Sequence, residues 1–282
     1  MSDEGELIAA LQQASAFSDE GDWEEAFRVL REQEPEHADD ATLLCMLGVA
    51  ARELGHEGHA YEYFRRCAAT EPSDPLVLVT AGSALAAFDD AGAEPLLRLA
   101  ALTAPALPMT RLHYGAYLAR EGLFVEALTE LEAARELDAD DVEIRAQLGV
   151  AYLRAGRLDD GLAELDEAEA RGGEDGALRV LHGVALWQAG RQDEAAEELY
   201  HLSLAMADDG ELQVAAALAA AAQGWDAEAW NALARAEGAA LPAPSTLLAE
   251  AEEAVGEGPD AAAALLSDEV AASLLHERLL ER

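Results

Sequence analysis

Histidine is the residue type whose spacing first suggests chemistry in this chain. The segment His56-Glu57-Gly58-His59 places two imidazoles beside a carboxylate, and all three are zinc ligand types. Its histidines are only three positions apart, whereas the helical zinc motif needs four to bring both rings onto one face. The segment also falls across a predicted turn. We therefore interpret it as turn sequence and predict no metal site there.

The other residues capable of chemistry form no recognisable active site. Five further histidines are scattered, with no cysteine or second histidine at ligand spacing: His37, His113, His182, His201 and His276. Carboxylates number 57, so a close pair somewhere in the fold is uninformative. Neither a glycine-rich phosphate loop nor a nucleophile elbow is present. We predict a protein without catalytic residues, metal or cofactor.

The charge balance is strongly acidic. The 57 acidic residues face 18 basic ones, which are all arginine, and the formal net charge is −39. Such a surface repels phosphate backbones and anionic lipid, which excludes nucleic acid and membrane surfaces as expected partners. Two interpretations stay open: the acidity keeps the protein in solution in a salty cytoplasm, or it attracts a basic partner.

Localisation signals point to the cytoplasm. The start, MSDEGELIAALQ, lacks the basic residues and apolar run of a signal peptide. The longest apolar run, LQVAAALAAAA at 212–222, is shorter than the roughly 20 residues of a membrane span. Cys45 and Cys67 fall at helical positions where small residues recur, so we predict buried free thiols.

A 34-residue repeat supplies the elements that carry all of these residues. The segment LGVAYLRAGRLDDGLAEL at 148–165 recurs as HGVALWQAGRQDEAAEEL at 182–199 and as YGAYLAREGLFVEALTEL at 114–131. Glycines recur with the same period at Gly21, Gly55, Gly122, Gly156, Gly190, Gly224 and Gly258. The one longer interval hides a degenerate copy with Phe88-Asp89-Asp90 at its turn. A fixed period of this length is typical of a stacked array.

Each copy reads as a helical hairpin. Leucine and tyrosine recur at steps of three and four residues on both sides of Gly156, as in two amphipathic helices joined by a short turn. A glycine at that turn can adopt the left-handed conformation that ends a helix. Small residues at Gly149, Gly161 and Ala168 fall where two helix axes would approach to about 8–10 Å.

These residues resemble the tetratricopeptide repeat, whose unit is a 34-residue helix-turn-helix. Leu148-Gly149-x2-Tyr152, Ala60-x3-Phe64 and Pro72 match its pattern directly. The family's tryptophan position departs from the pattern and holds Leu44, Arg111, Arg145, Arg179 and Gln213. The resemblance implies an all-α fold, a right-handed α-solenoid of stacked antiparallel helix hairpins, and a role in protein interaction.

We divide the chain into seven tandem repeats over 1–243 and a degenerate eighth repeat with a C-terminal capping helix over 244–282. The copies are framed as 7–40, 41–74, 75–107, 108–141, 142–175, 176–209 and 210–243. Pro242 and Pro244 separate the seventh copy from the eighth, because neither fits a helix interior. The terminal helix, which starts at Ser267, either caps the core or folds into the array's own groove or a second molecule.

The arginines at the tryptophan position form a ladder with 34-residue steps, Arg111, Arg145 and Arg179. We predict that they pair with neighbouring carboxylates. The alternative is that the ladder grips an acidic partner.

In the resembled family, the first helix of each repeat lines a concave groove that holds a peptide or a partner helix. Placing the copies in register stacks apolar residues on these helices, which we call the inner rows: Leu112, Ala116, Val150, Leu153, Val180, Val184, Trp187, Val214 and Leu218. Trp187 is the strongest candidate contact, because tryptophan is enriched at interface hot spots. The alternative is that part of each row is buried between adjacent copies.

The predicted function is a non-catalytic scaffold that binds a protein or peptide partner in this groove. An amphipathic helix with basic flanks would suit an apolar groove with an acidic rim. The alternative is a structural homo-oligomer, in which the groove or the terminal helix pairs two copies of the chain.

Overall fold

The computed structural model describes residues 3–172, 176–239, 241, 246–271 and 273–274. Within these residues the regular structure is helical and contains no strand. The all-α prediction is therefore confirmed. The chain divides into two compact units, Met1–Leu118 and Ala119–Arg282, which are described separately.

The first unit is a series of helix pairs. Its helices are α1 (Asp3–Asp19), α2 (Trp23–Gln33), α3 (Ala41–Glu53), α4 (Glu57–Ala69), α5 (Pro75–Ala87), α6 (Ala93–Thr103) and most of α7 (Pro108–Arg120). Each helix packs against its partner in the same pair, as α3 does against α4 and α5 against α6. The core of the unit includes Leu43, Leu47 and Phe64, which are fully buried.

The second unit continues the pairing and ends irregularly. Its helices are α8 (Phe124–Leu137), α9 (Val142–Arg154), α10 (Leu158–Ala170), α11 (Gly176–Gln188), α12 (Gln192–Ala205), α13 (Gly210–Ala222), α14 (Asp226–Ala236), α15 (Leu247–Glu257) and α16 (Pro259–Leu265). A π-helical turn, Leu266–Val270, follows α16 directly. Helix α13 is the most enclosed of these, because α12, α14, α15 and α16 all pack against it.

The first helices of the copies begin where the repeat frame predicts. Their first residues are 41, 75, 108, 142, 176 and 210, which are also the first residues of copies two to seven. Aspartate occurs immediately before four of these helices, at Asp40, Asp74, Asp141 and Asp209. Each of these carboxylates accepts a hydrogen bond from a backbone N–H in the first turn, which satisfies a donor that the helix cannot. Some of the acidic residues therefore serve as helix caps.

The turns between paired helices also follow the prediction. All seven turn glycines have positive φ, with Gly55 at 73° and Gly156 at 75°. In the degenerate third copy Asp89 takes this conformation, with φ of 53°. A non-glycine residue tolerates the left-handed region at some cost, and aspartate is among those that do so most readily.

Small residues allow the close approach of paired helices. A Cβ atom added to Gly161 of α10 would lie 2.9 Å from the carbonyl oxygen of Gly149 on α9. Real Cβ atoms do not come this close to a backbone oxygen, so the pair depends on the absence of a side chain. Ala168, further along α10, is also fully buried.

Both cysteines are buried and carry free thiols, as predicted. The Cys67 thiol donates a hydrogen bond to the Ala41 carbonyl at 3.3 Å. Hydrogen bonding with Cys67, together with burial, raises the pKa of Cys45 and keeps its thiol protonated. This pair therefore behaves as small apolar core residues.

Some sequence predictions fall outside the described residues. They include the proline break at Pro242 and Pro244 and the terminal helix beyond residue 274. The predicted helix start at Ser267 is wrong, because Ser267 lies inside the π-helical turn that continues α16. The boundary between a seven-copy domain and a C-terminal segment at residue 243 stays a prediction. Among the described residues, every helix is too short or too polar to cross a bilayer.

Candidate partner-binding surface

The inner rows are packed inside the helix array. In the first unit Leu112 is buried and Ala116 is partly buried. In the second unit Val150 is buried on α9, and the remaining inner-row residues join one hydrophobic cluster: Leu153, Val180, Val184, Trp187, Val214 and Leu218. The structure therefore brings most of the rows together as core, which agrees with the burial alternative. Their role as partner contacts stays a prediction.

The C-terminal segment covers part of these rows. Helix α16 packs against α13, and Leu266 and Val270 belong to the same hydrophobic cluster as Trp187. The Trp187 indole donates a hydrogen bond from Nε1 to Ser267 Oγ at 3.0 Å, and Trp187 is only 3% exposed. The Ser267 hydroxyl in turn donates to the Ala263 carbonyl. Ser267 occupies the position at which the preceding copies have Leu199 and Leu233. Its hydroxyl is the polar partner of the tryptophan.

An apolar surface is open in the first unit instead. A pocket of about 200 Å³ lies between the first helices α3 and α5, and its lining defines what we call the open strip: Thr42, Cys45, Met46, Val49, Leu76, Val77 and Thr80. Leu76 is 55% exposed, while Met46 and Val49 are partly exposed. An exposed leucine beside a concave apolar lining is a common feature of recognition sites.

Sequence reasoning passed over the open strip. In copies two and three, the positions that correspond to the inner rows carry residues such as Cys45, Val49 and Ser83. These residues are smaller and more polar than those of the inner rows, so the sequence favours a groove further along the chain. The missed signal was the second residue of each first helix, which is Thr42 on α3 and Leu76 on α5. Both side chains are exposed.

Comparisons with known proteins agree with this architecture. Residues 118–182 match the family model described as tetratricopeptide repeat. This stretch of the chain is therefore similar to the tetratricopeptide repeat. No curated protein matches the chain.

Solved structures extend the likeness of the tetratricopeptide fold over more of the chain. A tetratricopeptide repeat protein from Parabacteroides merdae superposes with a TM-score of 0.65 at 14% identity, covering 89% of this chain and 99% of that one. The hetero-tetramer Cut9-Hcn1 gives a TM-score of 0.71 at 14% identity, covering 86% of this chain and 48% of that one. The type IV pilus biogenesis factor PilW gives 0.62 at 18% identity, covering 70% and 92%. At these identities the likeness concerns the fold.

The arginine ladder of the helix array makes local contacts, mostly with carboxylates. Arg145 Nη1 lies 2.8 Å from Glu164 Oε2, and Arg179 Nε lies 3.3 Å from Glu169 Oε1. Arg111 Nε donates to the Pro105 carbonyl. The prediction of carboxylate partners is confirmed for Arg145 and Arg179.

A polar cluster between α10, α11 and α12 is the other notable site in the array. His182 Nδ1 lies 2.8 Å from Glu198 Oε2, and its Nε2 lies 3.0 Å from Asp166 Oδ1. The second contact is bent too far for a hydrogen bond. Burial alone would lower the pKa of His182, but Glu198, Asp166 and Glu169 outweigh it and raise that pKa. The cluster therefore attracts positive charge.

Sequence reasoning treated His182 as isolated because its partners are carboxylates, which were discounted for their abundance. The segment His56-Glu57-Gly58-His59, by contrast, follows the turn at Gly55 and begins α4, so its interpretation as turn sequence is wrong for Glu57, Gly58 and His59. His56 immediately precedes α4 and His59 lies in its first turn, with ring centroids 6.0 Å apart. Among the residues that the structure describes, no cluster of metal-ligand geometry includes either of them.

Proposed function

We propose that this chain is a non-catalytic scaffold that binds a segment of a partner protein along the open strip. The observation that supports it best is the exposed apolar lining between α3 and α5, centred on Leu76. Fully burying an exposed leucine side chain contributes about 1.5–3 kcal/mol, so covering Leu76, which is 55% exposed, contributes roughly half of that. A partner with an apolar face would supply that cover.

The charge of the chain favours a basic partner. At a formal charge of −39, long-range attraction accelerates the approach of a segment with lysine or arginine flanks and disfavours acidic competitors. We therefore propose an amphipathic helix whose apolar face occupies the open strip and whose basic flanks meet acidic surface, the helix-in-groove mode.

The inner rows in the second unit could bind a partner only after a rearrangement. Val150, Val184, Trp187 and Leu218 are buried, and Ser267 is bonded to Trp187. We propose that they contact a partner only where the C-terminal segment is displaced. Binding at the open strip needs no such rearrangement.

Two model peptides test the chemistry of the proposed partner. They share one amphipathic helical face and carry either lysine flanks or glutamate flanks, and fluorescence anisotropy measures their binding to the full chain. We expect the lysine-flanked peptide to bind more tightly, with an advantage that shrinks as salt screens the charges. Equal binding of the two peptides at low salt would remove the electrostatic part of the proposal.

A pair of leucine variants tests the location. Leu76→Glu places a charge in the open strip, whereas Leu102→Glu alters an even more exposed leucine on the second helix of the same hairpin, α6. We expect Leu76→Glu to weaken binding at least about tenfold, or 1.4 kcal/mol, and Leu102→Glu to leave it unchanged. Equal effects of the two variants would move the site away from the open strip.

A photo-reactive amino acid at position 76, with position 102 as the control, identifies the partner in cells. A different protein captured from position 76 but not from position 102 supports the scaffold. Capture of a second copy of the chain favours the alternative, a structural homo-oligomer, and light scattering over a range of concentrations then measures its size.

A further inference from the structure

Equivalent positions in successive copies carry different charges at the junctions between hairpins. At the junction of copies four and five, Glu164 accepts from Arg135 and Arg145, so two cations surround one buried carboxylate. Stepping forward by 34 residues replaces Arg135 with Glu169 and keeps Arg145 as Arg179. The second cation of this junction has become a carboxylate.

The same step changes a core position. Leu148 of copy five is fully buried, and its equivalent in copy six is His182. The equivalent of Glu164 is Glu198, which is again a glutamate and again mostly buried. Copy six therefore has an imidazole at the position where copy five has an apolar side chain.

These substitutions leave an excess of negative charge. Glu169, Glu198 and Asp166 lie around His182, and Arg179 is a nearby guanidinium. Arg191 also interacts with Asp166 and Glu198, so two guanidinium groups face three carboxylates at this junction. At the preceding junction Arg135 and Arg145 face Glu164, and Glu132, the equivalent of Asp166, also lies near Arg135.

Asp166 and Glu169 are about half exposed, whereas Glu198 is mostly buried. A buried carboxylate such as Glu198 is stabilised only when opposite charge or hydrogen bonds compensate the loss of water.

Three potential ligand atoms lie near one another. Glu169, His182 and Glu198 each contribute one nitrogen or oxygen atom, and these atoms lie within 4.8 Å of one another. A pocket of about 10 Å³ lies beside Glu198 and is lined by Leu165, Glu169, Leu178, Arg179 and His182. That volume holds about one water-sized particle.

We propose that Glu169, His182 and Glu198 bind a divalent transition-metal ion of the zinc class. Imidazole nitrogen combined with carboxylate oxygen suits Zn²⁺, whereas Mg²⁺ and Ca²⁺ prefer oxygen alone. Ligands at about 2.0–2.2 Å from one ion lie about 3–3.6 Å apart, so a rotation of the half-exposed Glu169 side chain completes the set.

The surroundings of the histidine fit this role. With the ion on the Nδ1 side, next to Glu198, the other ring nitrogen lies 3.0 Å from Asp166 Oδ1 without a hydrogen bond, and a small rotation of the Asp166 side chain is needed for the bond that outer carboxylates make to metal-binding histidines. Arg179 contacts both glutamates and competes with the ion as a cation. Its side chain is 39% exposed, so it can withdraw into solvent.

Calorimetric titration of the full chain with Zn²⁺ tests the site, after treatment with EDTA and in excess Mg²⁺ to saturate weak carboxylate binding. We expect about one tight equivalent of Zn²⁺ from this three-ligand site. His182→Leu installs the residue of the preceding copy and should weaken binding at least about 100-fold, since loss of outer partners alone costs about 10–100-fold. Arg179→Gln removes the competing cation and should tighten binding.

Two further variants distinguish loss of these ligands from loss of the fold and from zinc binding elsewhere on the chain. Glu169→Arg recreates the charge of Arg135 on an exposed side chain, so it should fold normally and lose the tight equivalent even where His182→Leu is unstable. The double variant His56→Asn/His59→Asn should bind Zn²⁺ like the wild type. Retention of the tight equivalent by both His182→Leu and Glu169→Arg, or its loss in the double variant, would overturn the proposal.

Discussion

Gly161→Ala is the most direct test of how closely the paired helices approach. The added Cβ atom would lie 2.6 Å from Leu153 Cδ2 and 2.9 Å from the Gly149 carbonyl oxygen. Neither contact is tolerable without a shift of α10 away from α9, and such overpacking costs about 1–3 kcal/mol. Alanine gains about 1 kcal/mol over glycine in a helix interior. With the penalty near its upper end, the net loss is about 1–2 kcal/mol.

The assay is urea unfolding followed by circular dichroism and tryptophan fluorescence. Gly58→Ala is the matched control, because it lies in α4 with no atom within 4 Å of its added Cβ and should gain about 0.4–1 kcal/mol. Leu153→Ala, which installs the residue found at the equivalent Ala221, should recover part of the Gly161→Ala loss beyond simple additivity. A Gly161→Ala protein as stable as the Gly58→Ala protein would refute the close approach.

Three further predictions concern stability. Ala195→Phe enlarges a fully buried alanine and should lower the free energy of unfolding by about 1–3 kcal/mol; an unchanged melting temperature would contradict its placement. Burial alone would raise the pKa of Glu34, but Arg66 and Arg31 outweigh it and lower that pKa below 4.5. Stability should therefore be present above pH 4.5 and be lost as pH falls through the lowered pKa, with a smaller acid dependence in Glu34→Gln, as acid titration of unfolding will measure. If acidity is an adaptation to salt, the melting temperature should rise from about 0.1 to 2 M salt as self-repulsion is screened, whereas a flat profile would indicate another cause.

Local features of the fold were predictable from sequence because each depends on residues a few positions apart. Capping aspartates, turn glycines and the three-to-four-residue apolar period repeat from copy to copy, so the starts of the first helices of copies two to seven were predictable. The degenerate copy was also located correctly, because its turn position could be counted even though Asp89 replaced the glycine.

The candidate surfaces were less predictable because they depend on contacts between distant residues. The inner rows are apolar in sequence whether they face a partner or other helices, and only the fold places α16 and Ser267 beside Trp187. The polar cluster needed both the fold and a comparison between copies, because abundant carboxylates conceal the ones that meet His182.

The hydrogen bond between Trp187 and Ser267 joins residues 80 positions apart, whereas the bond from Arg135 to Glu164, which links adjacent copies, spans 29. In a simple stack each repeat contacts only its neighbours, so terminal repeats fray one at a time. The return of α16 and the π-helical turn onto α13 and α11 instead ties copies six to eight into one cooperative unit of unfolding. Hydrogen exchange should therefore be slow and uniform from α11 through α16, and this end of the array should open all at once.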